Sequence, residues 1–156
     1  MDEADAQRLM LDPALPQKRK LALRLLTAAI DPVAAAHGYV SGAAGEWVRQ
    51  SAWCWSRLWL QKSQSGFMCF LNIDYAARLG SLKGPVRSTR VGTFAASVAD
   101  SNRLDALYYV DLGEDSPLRE EIIGLLQRRA LPWLDRCHRL LGWRERSHVP
   151  FGLMPQ

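Results

Sequence analysis

Three strand-like segments follow one another in the first half of the chain, and each connector between them has three residues. They span residues 46–50, 54–62 and 66–76. In the third segment Leu71, Ile73 and Tyr75 share one face, while polar side chains alternate with them. Parallel strands need a crossover of about a dozen residues or more, so connectors this short allow only antiparallel pairing. The sequence therefore predicts an antiparallel meander.

Amphipathic helices are predicted on both sides of the meander. Over residues 16–37 apolar side chains recur at helical spacing, at Leu21, Leu25, Leu26, Ala29, Ile30 and Val33. Gly38 is expected to cap this helix, which we expect to kink or restart at Pro32. A second helix is predicted over residues 116–142, with a break or bend at Pro132. The predicted fold class is α+β, an antiparallel sheet of about four to five strands packed against N-terminal and C-terminal helices.

The length of the chain predicts one domain, because 156 residues with 48% hydrophobic residues bury a core of their own. We assign residues 1–15 to an N-terminal segment with a short helix, residues 16–142 to a single α+β domain, and residues 143–156 to a C-terminal tail. Residues 80–103 are predicted to form a long loop or lid that contains one short strand. A further strand is predicted over residues 106–112.

Three tryptophans dominate the second strand-like segment. At odd positions, and therefore on one face, the chain carries Trp53, Trp55, Arg57, Trp59 and Gln61. Leucines occupy the other face, so both faces need cover. In the preferred interpretation the two long helices cover the tryptophans, and the lid or a second subunit covers the leucines. In the alternative interpretation the tryptophans form a groove for a partner protein or a small ligand, because Trp and Arg are enriched in interface hot spots.

Arginine supplies most of the positive charge of this chain. There are 20 Lys and Arg residues against 16 Asp and Glu residues, which gives a net charge of +4. The last third is rich in arginine, at Arg119, Arg128, Arg129, Arg136, Arg139, Arg144 and Arg146. A basic surface can bind nucleic acid or an acidic protein. We prefer a solvated helix face, because few aromatic residues and no nucleic-acid motif accompany these arginines.

No export signal, membrane span or metal-binding pattern is visible in the sequence. The cysteines, Cys54, Cys69 and Cys137, are odd in number and form no C-x-x-C pair, so we expect neither disulfides nor a zinc site but a reducing cytoplasm. The usual enzyme signatures are missing, and we predict no catalytic residues and no cofactor. His138 is interpreted as a surface residue beside a core cysteine, because neighbours in a helix do not face each other.

A series of short motifs, taken in order, resembles those of a bacterial family. The motifs are "HGYV" (37–40), the strand with Trp47 and Arg49, "LQKS" (60–63), "FLNID" (70–74), "RVG" (90–92), Tyr108 with Tyr109, and "LPWL" (131–134). The family is the one catalogued as domain of unknown function 4304. This resemblance implies an α+β domain without an established activity and without catalytic residues to carry over. The recurrent polar positions that it places near the sheet are matched by Arg49, Gln61, Lys62, Asn72 and Arg90.

The leading functional hypothesis is a non-enzymatic cytoplasmic module that binds a protein partner, such as an immunity or accessory protein in bacterial competition. Its candidate binding residues are Arg49, Trp53, Trp55, Arg57, Trp59, Gln61, Asn72 and Arg90. One alternative is an enzyme or small-ligand-binding protein in which the polar members of this set surround a pocket under the lid. Nucleic-acid binding through the last helix ranks lower. A homodimer is compatible with these patterns, and no membrane association is expected.

One mixed core is expected to join the meander to both long helices, because each helix has a single apolar stripe and the third strand has a continuous apolar row. The prediction pairs the strand residues Leu71, Ile73 and Tyr75 with the helix residues Leu25, Ile30, Leu126 and Leu134. This pairing leaves open which face of the tryptophan strand the helices cover.

Overall fold

Helices lie against an antiparallel sheet in the computed structural model, which describes residues 11–140. The helices are α1 (Leu15–Ala36), α2 (Val98–Asp105), α3 (Pro117–Leu125) and α4 (Leu131–Cys137). The strands are β1 (Val40–Ser41), β2 (Glu46–Gln50), β3 (Cys54–Lys62), β4 (Met68–Leu79), β5 (Leu82–Lys83), β6 (Arg87–Arg90) and β7 (Leu107–Tyr108). Short 3-10 turns at Val91–Phe94 and Tyr109–Leu112 and a π-helical turn at Leu126–Ala130 complete the fold. The fold class is α+β, as predicted.

The long strand β4 organises the sheet. Along one edge it pairs with the whole of β3, from Ala77 opposite Cys54 to Cys69 opposite Lys62. Along its other edge it pairs in turn with β7, β6 and β5, while β2 and then β1 extend the sheet beyond β3. Every pairing is antiparallel, so the predicted meander is confirmed. The sheet has seven strands instead of about four to five, because three short strands share one edge of β4.

Residues 80–103 form the outer edge of the sheet and do not form a lid. They contribute β5, β6, a 3-10 turn and most of α2. The strand predicted over residues 106–112 is extended only at Leu107–Tyr108 and then becomes a 3-10 turn. Tyr109 and Leu112 are both buried, and this three-residue spacing of core side chains is the spacing of a 3-10 turn.

Helix α1 closely matches its predicted range, but its buried stripe is rotated. The buried residues are Ala22, Leu26, Ile30, Val33 and Ala34. Leu25 lies beside this stripe and is only half-buried, so its predicted place in the core is wrong. The helix continues through Pro32 without the predicted restart. Gly38 caps it with a φ of +77°, a conformation that glycine adopts without the steric cost of a side chain.

The C-terminal helical region begins as predicted and ends earlier. The Ser116 hydroxyl accepts a hydrogen bond from the Arg119 amide at 3.0 Å, which caps α3 before Pro117. A π-helical turn then precedes Pro132. Proline has no N–H to donate to the carbonyl four residues before it, so the helix changes its hydrogen-bonding pattern there. Helix α4 ends at Cys137, five residues before the predicted end.

The core lies between the helices and one face of the sheet. Leu71, Ile73 and Tyr75 belong to one buried cluster with Ile30, Leu126 and Leu134. The predicted core is therefore confirmed apart from Leu25. Trp133 joins both parts of this core, with its ring centroid 5.0 Å from that of Tyr75.

The sequence also led to expectations about the two ends of the chain and about membrane-spanning helices. The short helix expected before residue 11 and the tail over 143–156 lie outside the described residues. Across residues 11–140, no helix combines the length and the apolar character needed to cross a membrane.

Candidate functional site

The helices cover the leucine face of β3 and leave its tryptophan face open. In the register of β3 and β4, Leu58 lies opposite Ile73, and both belong to the buried core. Trp55 and Trp59 lie on the other face, and both are half-buried. No residue of that face belongs to the core cluster found within residues 11–140. The preferred interpretation, in which the helices cover the tryptophans, is therefore wrong. We call the tryptophan side the open face.

Arg57 occupies the centre of the open face between the two tryptophans. Its Nε and Nη2 donate to Asp74 Oδ2 at 3.1 and 2.6 Å, and its Nη1 donates to Glu46 Oε1 at 3.1 Å. Its guanidinium carbon lies 4.9 Å from the ring centroid of Trp59 and 5.8 Å from that of Trp55. The hydrogen bond to Asp74 is the main cause that raises the pKa of Arg57. The guanidinium is thus fixed in position over both rings.

Hydrogen bonds satisfy the polar side chains beneath this arginine. Asp74 is only 3% exposed, and it also accepts a hydrogen bond from the Ser88 hydroxyl at 2.6 Å. Beside it, Asn72 Nδ2 donates to Gln61 Oε1 at 3.0 Å. A buried carboxylate needs hydrogen-bond donors of this kind, because burial without them is costly. The open face is consequently an ordered layer of side chains.

Two further cations of the open face lie over aromatic rings. Lys83 Nζ is 3.3 Å from the centroid of a Trp55 ring, and the Arg90 guanidinium carbon is 4.3 Å from the Phe70 centroid. Cation–π contacts of this kind contribute about 0.5–1 kcal/mol at exposed sites. Within the described part of the chain, neither Lys83 nor Arg90 forms a salt bridge. Aromatic surface and positive charge without a salt bridge therefore occur together on this face.

The structure brings six of the eight predicted binding residues to the open face. These six are Trp55, Arg57, Trp59, Gln61, Asn72 and Arg90. Trp53 lies in the turn before β3, where its carbonyl accepts a hydrogen bond from the Arg78 amide at 2.8 Å. Arg49 lies opposite Ser56, on the face that the helices cover. The predicted polar residues therefore do not surround one pocket, because Arg49 lies on the other side of the sheet.

A polar cleft surrounds Arg49 on the helix side of the sheet. It has a volume of about 400 Å³ and lies where the ends of α1 and α4 meet β2. Asp135 of α4 accepts hydrogen bonds from Arg49 Nη1 and, at 2.7 Å, from His37 Nδ1. Burial acts to raise the pKa of Asp135, but the hydrogen bonds from Arg49 and His37 outweigh it and lower the pKa. Asp135 is thus held as a carboxylate.

His138 forms one wall of this cleft and is buried, which corrects its predicted surface position. Its Nε2 lies 2.8 Å from the Ser56 hydroxyl, and its Nδ1 lies 2.9 Å from the Ser51 hydroxyl. Ser56 is also 2.6 Å from the hydroxyl of Tyr39, whose pKa is raised by burial. This chain of hydrogen bonds satisfies the buried hydroxyls of Tyr39 and Ser56 and the imidazole of His138.

Sequence reasoning missed Asp135 as a candidate functional residue. A signal was present, because Asp135 is the single acidic residue between Glu121 and Glu145 in a segment rich in arginine. An isolated carboxylate among many cations is a natural partner for one of them. Its actual partners, however, come from distant parts of the chain.

The arginines near the last helix mostly bind the backbone. Arg119 donates to the carbonyls of Gly113 and Glu114, Arg129 to that of Phe94, and Arg136 to that of Pro132. These contacts hold turns and helix ends together. Arg144 and Arg146 lie outside the described residues. The contacts of these described arginines therefore support the fold more than they favour binding to phosphates.

Comparisons with protein-family models, curated proteins and solved structures found no match. The family resemblance of the sequence motifs therefore stays a prediction. Over residues 11–140, no group of three or more His, Cys, Asp or Glu side chains is arranged to hold a metal ion. The open face and the polar cleft are two places in this part of the molecule where polar and charged side chains converge on a surface.

Proposed function

We propose that this protein is a non-enzymatic module that binds another protein through its open face. The observation that supports the proposal is that the helices cover only one side of the sheet, which leaves Trp55, Trp59 and Phe70 half-buried on the other. Aromatic residues and arginine are enriched in protein interfaces, and their contiguous exposure marks interaction sites. Binding would complete the burial of these rings.

The charge of the open face favours an acidic partner. Arg57 is compensated by Asp74 and Glu46, whereas Lys83 and Arg90 have no salt bridge within residues 11–140. A partner that offers carboxylates beside apolar side chains would match both the charge and the rings. Two copies of this chain placed face to face would bring like charges together, so the charge disfavours a homodimer through this face.

Single-stranded nucleic acid is a poorer match for the same surface. Binding of this kind depends on bases that stack on exposed aromatic rings. Here Arg57, Lys83 and Arg90 already lie over the rings of the open face. We infer that a protein is the partner, and that inhibition or support of an acidic protein in the bacterial cytoplasm, as by an immunity or accessory protein, is the role.

Affinity capture with matched variants tests this proposal. The protein is immobilised as wild type, as Trp55→Ala, as Arg90→Glu and as Lys20→Glu, which changes an exposed residue of α1. Lysate of the native host is passed over all four, and each captured protein is purified and titrated by calorimetry at low and high salt. Circular dichroism checks that every variant is folded.

The expected result is a partner whose affinity falls about tenfold or more with Trp55→Ala and with Arg90→Glu but not with Lys20→Glu. Salt should weaken this binding, because it screens exposed charges. The proposal is overturned if every captured protein binds the four forms equally. It is also overturned if capture through Trp55 depends on nucleic acid and disappears after nuclease treatment.

A further inference from the structure

The polar cleft beneath Arg49 has unused hydrogen-bond donors. Arg49 donates a hydrogen bond to Asp135 only from Nη1, and its Nε and Nη2 have no partner within residues 11–140. His37 uses its Nδ1 for the same carboxylate and leaves its Nε2 without a partner there. The side chains of Arg49 and His37 are both 24% exposed, so these groups are sheltered but reachable from the cleft.

The geometry of Arg49 matches a bound oxyanion. The Nε and Nη2 donors of a guanidinium lie side by side and form a fork that fits two oxygens of a carboxylate or a phosphate. Nη1 is already held by Asp135, which fixes the plane of the group and reduces the entropy lost when a ligand binds. The free edge of Arg49 is therefore preorganised.

Gly38 keeps this edge of Arg49 open. Both residues line the cleft, and a Cβ atom at position 38 would lie 3.6 Å from Arg49 Nε. Glycine at this position caps α1 and at the same time leaves the space beside the Nε donor unfilled. Near the end of α1, the carbonyls of Ala34 and Ala35 accept hydrogen bonds from the amides of residues 37–39.

The unused donors that line the cleft favour an anion. Arg49 and Arg139 are the guanidinium groups of its lining and Asp135 is its carboxylate, and Arg139 has an interaction of its own. His138 lines the cleft but directs both of its ring nitrogens to serine hydroxyls instead of to the cleft. The donors left for a ligand are those of Arg49 and His37.

We propose that this cleft binds a small oxyanion, either a carboxylate or a phosphate monoester, on the free edge of Arg49 with His37 beside it. Asp135 is the positioning residue that orients both donors. The site lies on the opposite side of the sheet from the open face, and its volume of about 400 Å³ is large enough for a small metabolite. The inference is independent of the proposed protein partner.

Nuclear magnetic resonance of the ¹⁵N-labelled full chain tests the proposal. The Nε–H resonance of Arg49 and the ring of His37 are followed during titration with sodium phosphate, with sodium acetate and with sodium chloride at matched ionic strength. Arg49→Lys is the test variant, because lysine keeps the charge but lacks the fork. Arg24→Lys, at an exposed position of α1 that does not line the cleft, is the matched control.

We expect saturable shifts of the Arg49 and His37 signals with phosphate or acetate and none with chloride. Saturation with phosphate alone identifies a phosphate ligand, and saturation with acetate alone identifies a carboxylate ligand. Arg49→Lys should weaken binding about tenfold or more, while Arg24→Lys should leave it unchanged. The absence of saturable shifts with either anion in the wild type overturns the proposal, as does an equal response to chloride. The wild-type titration decides the matter even if Arg49→Lys does not fold.

Discussion

The two faces of β3 and β4 carry side chains of similar bulk but shield them from water in different ways. On the helix-covered face, Leu58, Leu71 and Ile73 are fully buried by other parts of the chain. On the open face, the guanidinium of Arg57 lies between Trp55 and Trp59 and shields part of their rings. The comparison teaches that a row of tryptophans on a strand does not require a helix to cover it. It requires only neighbours that are long, charged and held in place.

The largest expected effect belongs to the helix-covered face. Leu71→Ala should lower the free energy of unfolding by about 2–5 kcal/mol, because it empties a fully buried site between sheet and helices. Denaturant melts of the wild type and the variant measure this loss. A cost below about 1 kcal/mol would mean that Leu71 is not a packed core residue, and the assignment of the two faces would fail.

A smaller effect is expected where the open face is held together. Asp74→Ala removes the acceptor of two Arg57 hydrogen bonds and one from Ser88, and should cost about 1–3 kcal/mol. Glu46→Ala is the matched control, because it removes the other carboxylate bound to Arg57 at a more exposed position and should cost less than about 1 kcal/mol. Equal costs in denaturant melts would show that Asp74 does not organise this face.

The smallest loss of stability is expected at the ring that we assign to recognition. Trp55→Ala should cost about 1 kcal/mol or less, because the ring is half-buried and lies beside the cations of Arg57 and Lys83. The same melts measure it against Leu71→Ala. Equal large losses for the two variants would make the tryptophan row structural and would remove the reason to regard the open face as a binding surface.

The sequence predicted the elements of the fold better than their relative placement. The alternation of apolar and polar side chains and the short connectors were enough to predict β2, β3 and β4, because the side-chain period of a strand and the length of a loop are local properties. The face taken by the helices was not predictable, because both faces of β3 carry large apolar residues. The side of α1 that faces the core was misjudged for a related reason. Leu25 and Leu26 are adjacent leucines, and only the packing of the folded chain shows that Leu26 is the buried one.

The candidate site was predicted in part, and the exceptions have physical causes. Residues Trp59 and Asn72 were expected to contribute to one site, and the register places them opposite each other on the open face. Arg49 was placed with them wrongly, because the turn between β2 and β3 pairs it with Ser56, so the odd positions of β2 face the helices. The pairing of His37 with Asp135 joins residues almost a hundred positions apart, and no local pattern in one sequence reveals such a contact.

The outer strands of the sheet have a consequence for solubility. Beyond the central strands, β1 has two residues, and the other border is divided among β5, β6 and β7, with two, four and two residues. Strands that join into aggregates need a long, flat border of unpaired backbone amides and carbonyls, and the borders described here are short and interrupted. The protein can therefore display aromatic rings to the solvent with little risk that neighbouring molecules fuse their sheets at high concentration. A change that merged β5 and β6 into one continuous strand would remove this protection while leaving the core intact.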